Sequence, residues 1–275
     1  MAADLGGLLA DLTAETRVLE DLLEPLAAAD WRRPTPSPGW TIHDQVSHLA
    51  YFDETATLAA TDPDRFRAEA AGVDAIGPGF PDEIAARYRK LPAAELLSWF
   101  LGARTGYVAA LRGHGPRDRL PWYGPDMSAA SSVTARLMET WAHGQDIADA
   151  LGVTREPTSR LRHIAHLGAR TFGFSFQLNG RPVPVTPVRV ELTAPDDELW
   201  SWGPDGAADR VAGPALDFCL VVTQRRNLAD TKLRVTGPVA TEWMSLAQAF
   251  AGAPGPGREP GFTLPGPVPS GPEAQ

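Results

Sequence analysis

Apolar positions in the first part of the chain recur every three or four residues. Leu5, Leu8, Leu9, Leu12, Leu19, Leu22, Leu23 and Leu26 share one face of a 3.6-residue period, which predicts an opening helix from Leu5 to Leu26. The Pro-rich stretch 33–39 cannot continue it, because proline lacks the amide proton and clashes with the preceding turn. Thr41 with Asp44 three residues on has the pattern of a capping box and predicts a second helix from Ile42 to about Ala60. A loop over 62–81 rich in Asp, Gly and Pro holds a short charged segment and leads to a short helix, Glu83 to Arg89. Pro92 can open the next helix, Ala93 to Leu111, where Leu96, Leu97, Phe100, Leu101, Val108 and Leu111 keep helical spacing until the GHGP at 113–116. After a loop at 119–126, the stretch Ser128 to Leu151 contains no proline and Gly152 supplies a stop signal. A fifth segment, Ser159 to about Ala169, can pack across the others through Leu161, Ile164 and Leu167. Four long helices with loops of mixed length predict a bundle.

Beyond Asn179 the period changes from 3.6 to 2. Val188, Val190 and Leu192 alternate with Arg189, Glu191 and Thr193, and Leu199 to Trp202 follows a ProAspAsp turn, which reads as strand, turn, strand. Pro214 to Arg225 is helical in pattern, Lys232 to Thr236 strand-like, and Val239 to Ala251 helical again. The expected fold class is α+β: a bundle over 1–175, a small α/β domain over 180–252, and a Gly/Pro-rich tail over 253–275. That tail is expected to be disordered, since it offers too little apolar surface to repay ordering. No internal repeat is visible.

Charge narrows the partners. A formal net charge of −9 with no Lys/Arg cluster repels polyanions, which argues against nucleic acid. The first twelve residues, MAADLGGLLADL, lack the basic segment of a signal peptide, and no run approaches the roughly 18 apolar residues of a membrane span. The expectation is a cytoplasmic protein, monomeric or homodimeric, acting on a small molecule away from membranes. The lone cysteine, Cys219, sits in the apolar run 216–222 and reads as a core hydrophobe.

Six histidines remain to be placed. Glu139 and His143 lie four apart on the predicted fourth long helix, so both project from one face and can share a metal. With 6 His and 34 acidic residues in the chain, chance supplies about 0.7 such pairs, so spacing alone leaves both a metal site and an ordinary helix surface open. Asp44 and His48 repeat the spacing, but Asp44 is better placed as a cap, leaving His48 one turn deeper to point inward. His43, about 140° around the helix from His48, is expected on the surface. His163 and His166 form a weaker pair, with exposed helix as the alternative, and His114 lies in a Gly-flanked loop. Asp146, on the His143 face, is either an exposed acid or the acceptor for that ring's second nitrogen.

The stretches PGWTIHDQVSHL (38–49) and METWAHGQDI (138–147) resemble the two metal-site helices of the DinB-like superfamily, more closely its mycothiol-dependent maleylpyruvate isomerase branch. The resemblance extends from about Leu5 to Gly252 and implies a DinB-like four-helix bundle joined to a small C-terminal α/β domain. It carries the metal ligands to His48, Glu139 and His143. LVVTQRR (220–226) stands where the family has an apolar run followed by Gly-Arg, so the Gly is missing and Arg225 or Arg226 is the candidate for a substrate-facing catalytic arginine. Arg87 and Arg89 are the candidates for an active-site arginine of the bundle. The wording around 134–146 and 217–226 also resembles a subgroup of metal-binding proteins without an agreed reaction.

Two imidazoles and a carboxylate suit Zn2+, with Ni2+, Fe2+ or Mn2+ compatible, and leave a position open as in catalytic sites. The resemblance implies mycothiol as cosubstrate and an isomerase or S-transferase acting on a small electrophile. A hydrolase or lyase using metal-bound water, and a non-catalytic metal- or ligand-binding protein, are the alternatives.

Overall fold

The computed structural model describes residues 4–72 and 77–262. The four long helices are α1 (Leu5–Leu23), α2 (Ile42–Thr61), α5 (Ala93–Leu111) and α6 (Ala129–Leu151), with α3 (Pro63–Ala70) and α4 (Phe80–Tyr88) between the second and third of these. α1 stops three residues short of the expected Leu26 because Pro25 follows its C-cap, Glu24. α2 starts as expected: the Thr41 hydroxyl accepts from the Asp44 amide while the Asp44 carboxylate accepts from the Thr41 amide at 2.8 Å. α6 is capped by the Ser128 hydroxyl and ends at Gly152, whose φ of 69° is the left-handed conformation glycine tolerates best. The segment expected as loop at 119–126 begins in a two-stranded hairpin, β1 (Arg119–Leu120) and β2 (Met127–Ser128), which holds Trp122 and Tyr123 against the bundle.

One side chain ties the four long helices together. The Arg104 guanidinium on α5 donates to Asp53 on α2 at 2.7 Å, to Thr16 on α1 at 2.8 Å and to Thr140 on α6 at 2.9 Å. Arg136 on α6 donates to the other Asp53 oxygen at 2.9 Å and to the Leu49 carbonyl at 3.2 Å. All three charged groups are buried. Such a cluster adds little net stability over a well-packed apolar replacement, but losing one partner costs about 3–5 kcal/mol because the rest stay buried and charged.

α7 (Leu161–Arg170) and α8 (Phe172–Leu178) lead to a sheet of order β4-β3-β5-β6, with β3 (Val188–Thr193), β4 (Leu199–Trp202), β5 (Asp209–Pro214) and β6 (Arg234–Thr236). β3 pairs antiparallel with β4 and parallel with β5, and β6 closes the far edge antiparallel to β5. α9 (Ala215–Val222) and α10 (Pro238–Leu246) complete this α+β part. α10 ends earlier than the expected Ala251. α3, α8 and β5 were not anticipated: each is short, and β5 finishes in GlyPro.

The two parts share one apolar cluster, which runs from Leu12, Leu111 and Leu137 through Ile164 to Phe218, Val222 and Trp243. Residues 253–262, expected to be unstructured, are held instead: Arg258 donates to Asp146 on α6 at 2.6 Å, and the Gly261 amide to Asp230 at 2.9 Å. The remainder of the expected tail lies outside the described residues. Among the described residues no helix is long and apolar enough to cross a membrane.

At Gly168 on α7, an added Cβ would meet Val222 Cγ2 at 2.7 Å and Phe218 Cε1 at 3.0 Å, both on α9. Gly168→Ala should therefore push α9 off α7 and lower stability by about 1–3 kcal/mol in urea unfolding. Unchanged stability would show that this joint has slack.

Candidate functional site

α2 and α6 bring His48, Glu139 and His143 to one point. Glu139 Oε2 lies 3.1 Å from His143 Nε2 and 3.6 Å from His48 Nε2, and one ligand atom from each residue falls within 4.8 Å of the other two. Neighbouring side chains fix which atoms face inward. The Thr35 hydroxyl spends its only proton on the Trp40 carbonyl at 2.9 Å, so towards Gln45 it can only accept, and it takes the Gln45 amide nitrogen at 2.8 Å. That turns Gln45 Oε1 to His143, where it accepts from the Nδ1 proton. His143 Nε2 is thereby left facing the Glu139 carboxylate at 3.1 Å, a position that a proton or a metal cation on that nitrogen would satisfy.

Aromatic rings wall the cluster. Trp40 stacks on His143 with centroids 6.0 Å apart, and Phe52 lies 4.6 Å from His48. Burial and the charge of His143 pull the His48 pKa down from 6.5 to about 4 against the opposing pull of Glu139, so this ring is neutral at ordinary pH. Burial alone would raise the Glu139 carboxyl, but hydrogen bonds and charge from both histidines hold it well below the usual range. His48 Nδ1 is buried without a hydrogen-bond partner among the described residues. The three side chains together offer two imidazole nitrogens and a carboxylate oxygen that could hold a metal ion.

The other candidates fall elsewhere. Asp44 is a cap, and its second oxygen takes Arg89 at 2.9 Å, so Arg89 braces the α2 start. No contact brings Arg87 to the cluster among the described residues. The arginines that do enter the bundle near the cluster are Arg104 and Arg136, which sequence reading missed. Their signal was present: Arg104 stands four residues from both Phe100 and Val108, on the apolar stripe of α5. His43 is buried rather than on the surface, with Nε2 bonded to the Leu91 carbonyl at 2.9 Å, because α2 is covered on that side by the 91–93 turn. Asp146 does not serve His143; Gln45 does, one helical turn before His48. Asp146 is buried and accepts from Ser37 at 3.0 Å, Arg225 at 2.8 Å and Arg258 at 2.6 Å.

Arg225 and Arg226 do not face the cluster with free guanidinium groups. Arg225 is spent on Asp146 and on the Thr223 and Ala142 carbonyls, and Arg226 holds Asp149 with both terminal nitrogens at 2.6 and 2.8 Å. Their contacts dock the C-terminal part onto α6. His163 pairs with Asp11 at 2.8 Å and His166 accepts from the Trp202 indole at 3.1 Å, so they do not converge; His114 sits 3.4 Å from Asp118. Cys219 is buried as expected, and burial raises its thiol pKa, which keeps it protonated.

The fold and this histidine–glutamate cluster define a DinB-like helical-bundle protein with an appended small sheet domain. Residues 12–148, which span all three cluster residues, match the mycothiol maleylpyruvate isomerase N-terminal domain, and the chain belongs to that family. Residues 184–235 match a wyosine base formation domain. Two Mycobacterium tuberculosis proteins, from strains CDC 1551 / Oshkosh and H37Rv and both described as uncharacterized, are each 47% identical over 256 residues, covering 93% of this chain and 100% of theirs. The crystal structure of a mycothiol-dependent maleylpyruvate isomerase superposes with a TM-score of 0.57 at 16% identity, covering 81% of this chain and 90% of the other. A His→Ala variant of that enzyme superposes equally well, at 0.58.

The depressed His48 pKa has a measurable consequence. As pH falls, the unfolded chain protonates this ring near 6.5 while the folded protein resists until about 4, so the stability it confers is complete above 6.5 and lost on descent through that window. Metal-free protein should lose up to roughly 3 kcal/mol from this source, and His48→Gln should remove that part of the slope. Equal slopes in urea unfolding between pH 7 and pH 4.5 would refute the burial account.

Proposed function

We propose that the chain holds one divalent metal through His48, Glu139 and His143 and is a mycothiol-dependent isomerase or S-transferase acting on a small electrophile. The observation that carries the metal is His143 Nε2, turned towards the Glu139 carboxylate by a fixed Gln45 amide, with His48 Nε2 converging on the same oxygen. Ligand atoms about 2.1 Å from a tetrahedral ion stand about 3.4 Å apart. The observed 3.1 and 3.6 Å bracket that spacing. Zinc suits two imidazoles and a carboxylate, and Ni2+, Fe2+ or Mn2+ tolerate the same set. When bound, such a metal lowers the pKa of a coordinated thiol so that the thiolate forms near neutral pH.

The chain's own residues supply the remainder. Gln45 fixes the His143 tautomer, Glu139 contributes the negative charge that a dication requires, and Trp40 and Phe52 limit water at the cluster. In the reaction the thiolate sulfur bonds to one carbon of a double bond conjugated to a carbonyl, and the π pair moves to the carbonyl oxygen. Rotation about the resulting single bond, return of the pair and loss of the thiolate give the isomer. Protonation of the enolate carbon with the C–S bond retained gives the transfer product. Family membership supports mycothiol as the thiol.

His48→Ala and His143→Ala should each abolish stoichiometric metal in elemental analysis while far-ultraviolet circular dichroism stays helical, and Gln45→Leu should weaken metal affinity about 10–100-fold. Metal content equal to wild type in both histidine variants would eliminate the site. Calorimetry should show mycothiol binding to the zinc-loaded protein and at least tenfold weaker binding to the metal-free form. Metal binding with no thiol binding would favour a water-using hydrolase or lyase, or a non-catalytic role.

A further inference from the structure

The surroundings of the cluster are aromatic on one side, and the buried arginines beside it are already paired. Phe52, 4.6 Å from His48, packs against Phe80 at 5.9 Å, Tyr123 at 6.1 Å and Trp122 at 6.4 Å. Trp40 closes the other flank at 5.4 Å from His48. Trp40, Trp122 and Tyr123 are only partly buried, so this surface continues outward from the cluster. Burial raises the Tyr123 hydroxyl pKa and keeps it neutral. Among the described residues, every arginine that hydrogen-bonds to α2 or α6 is paired with a carboxylate.

A carboxylate entering this region would leave water for a partly apolar wall whose buried arginines, Arg104 and Arg136, are already committed to Asp53, at a cost of several kcal/mol. At the cluster its partner would be the metal, where it would compete with the thiol. A neutral aryl group loses nothing there and gains edge and face contacts with the rings. We infer that the electrophile this site takes is a neutral, aryl-bearing compound, bound by the aromatic wall of Phe52, Phe80, Trp122, Tyr123 and Trp40, and not a dicarboxylate. The inference rests on the thiol-dependent reading of the metal site.

A matched pair separates charge from shape: methyl 3-benzoylacrylate and 3-benzoylacrylate as reactive substrates, with their saturated analogues as unreactive ligands. Calorimetry of the saturated pair is run on metal-free and zinc-loaded protein. The ester should bind at least tenfold tighter than the acid in both forms. The zinc-loaded result is the stringent one, because the metal favours the anion. Phe52→Leu and Trp122→Leu should each weaken ester binding at least tenfold and leave acid binding unchanged, with Tyr123→Leu standing in where either variant fails to fold. Turnover with mycothiol should favour the ester by a similar factor in kcat/KM. Acid binding as tight as ester binding in the zinc-loaded protein, or ester binding indifferent to the wall variants, would overturn the inference. Ester preference in binding with no thiol-dependent turnover of either compound would instead overturn the proposed reaction and leave the ligand class standing.

Discussion

A single guanidinium, that of Arg104 on α5, is bonded to the other three long helices, and the geometry of the cluster follows from it. Asp53 lies five residues beyond His48 on α2, and Thr140 is adjacent to Glu139 on α6, so Arg104 sets the register between the helix of His48 and the helix of Glu139 and His143. Arg136, three residues before Glu139, repeats the link through the second Asp53 oxygen and reaches the carbonyl of Leu49, the residue after His48. Leucines could slide by a fraction of a turn at little cost. A buried carboxylate with two directional partners cannot, and that gain in specificity justifies charges whose net contribution to stability is small.

The C-terminal part is joined to the same helix by different means. A continuous apolar core runs from the bundle into the sheet, and three arginines from beyond the sheet meet two aspartates on α6. Asp146 also takes the Ser37 hydroxyl, and the turn containing Ser37 carries Trp40 onto His143. The C-terminal part thereby props both the helix that bears His143 and the loop that covers it. The fold is shared with a solved structure at 16% identity.

Long elements were legible because their signals were redundant. α2 had a capping box and a proline-rich stretch before it, and α5 matched its expected bounds, Ala93–Leu111. Short elements had only one signal each: β5 alternates Asp209, Val211 and Gly213, with a buried aspartate serving as acceptor for the α10 amide of Ala240. A polar residue on an inward position reads as a break in pattern until its partner is known. The cluster itself was half legible. Spacing alone left Glu139 and His143 near the chance level, and His48 on a separate helix could be joined to them only by resemblance. Gln45, Arg104 and Arg136 act through partners 98, 51 and 83 residues away, distances at which no helical period carries information. For Arg225 and Arg226 resemblance supplied a role towards substrate, while their partners Asp146 and Asp149, 79 and 77 residues away, were not legible in the sequence.

The reach of Arg258 back to Asp146 has a consequence for how the protein is made. The two residues are 112 positions apart. At about 5–20 residues per second a ribosome takes roughly 6–22 s to bridge that interval. During it α6 is complete, yet one oxygen of the carboxylate that must be buried beneath it lacks its guanidinium. Burying that group early is unfavourable, so the native closure of the turn after His143 requires Arg225 and Arg258. The helix that bears Glu139 and His143 is therefore completed by residues synthesised long after it.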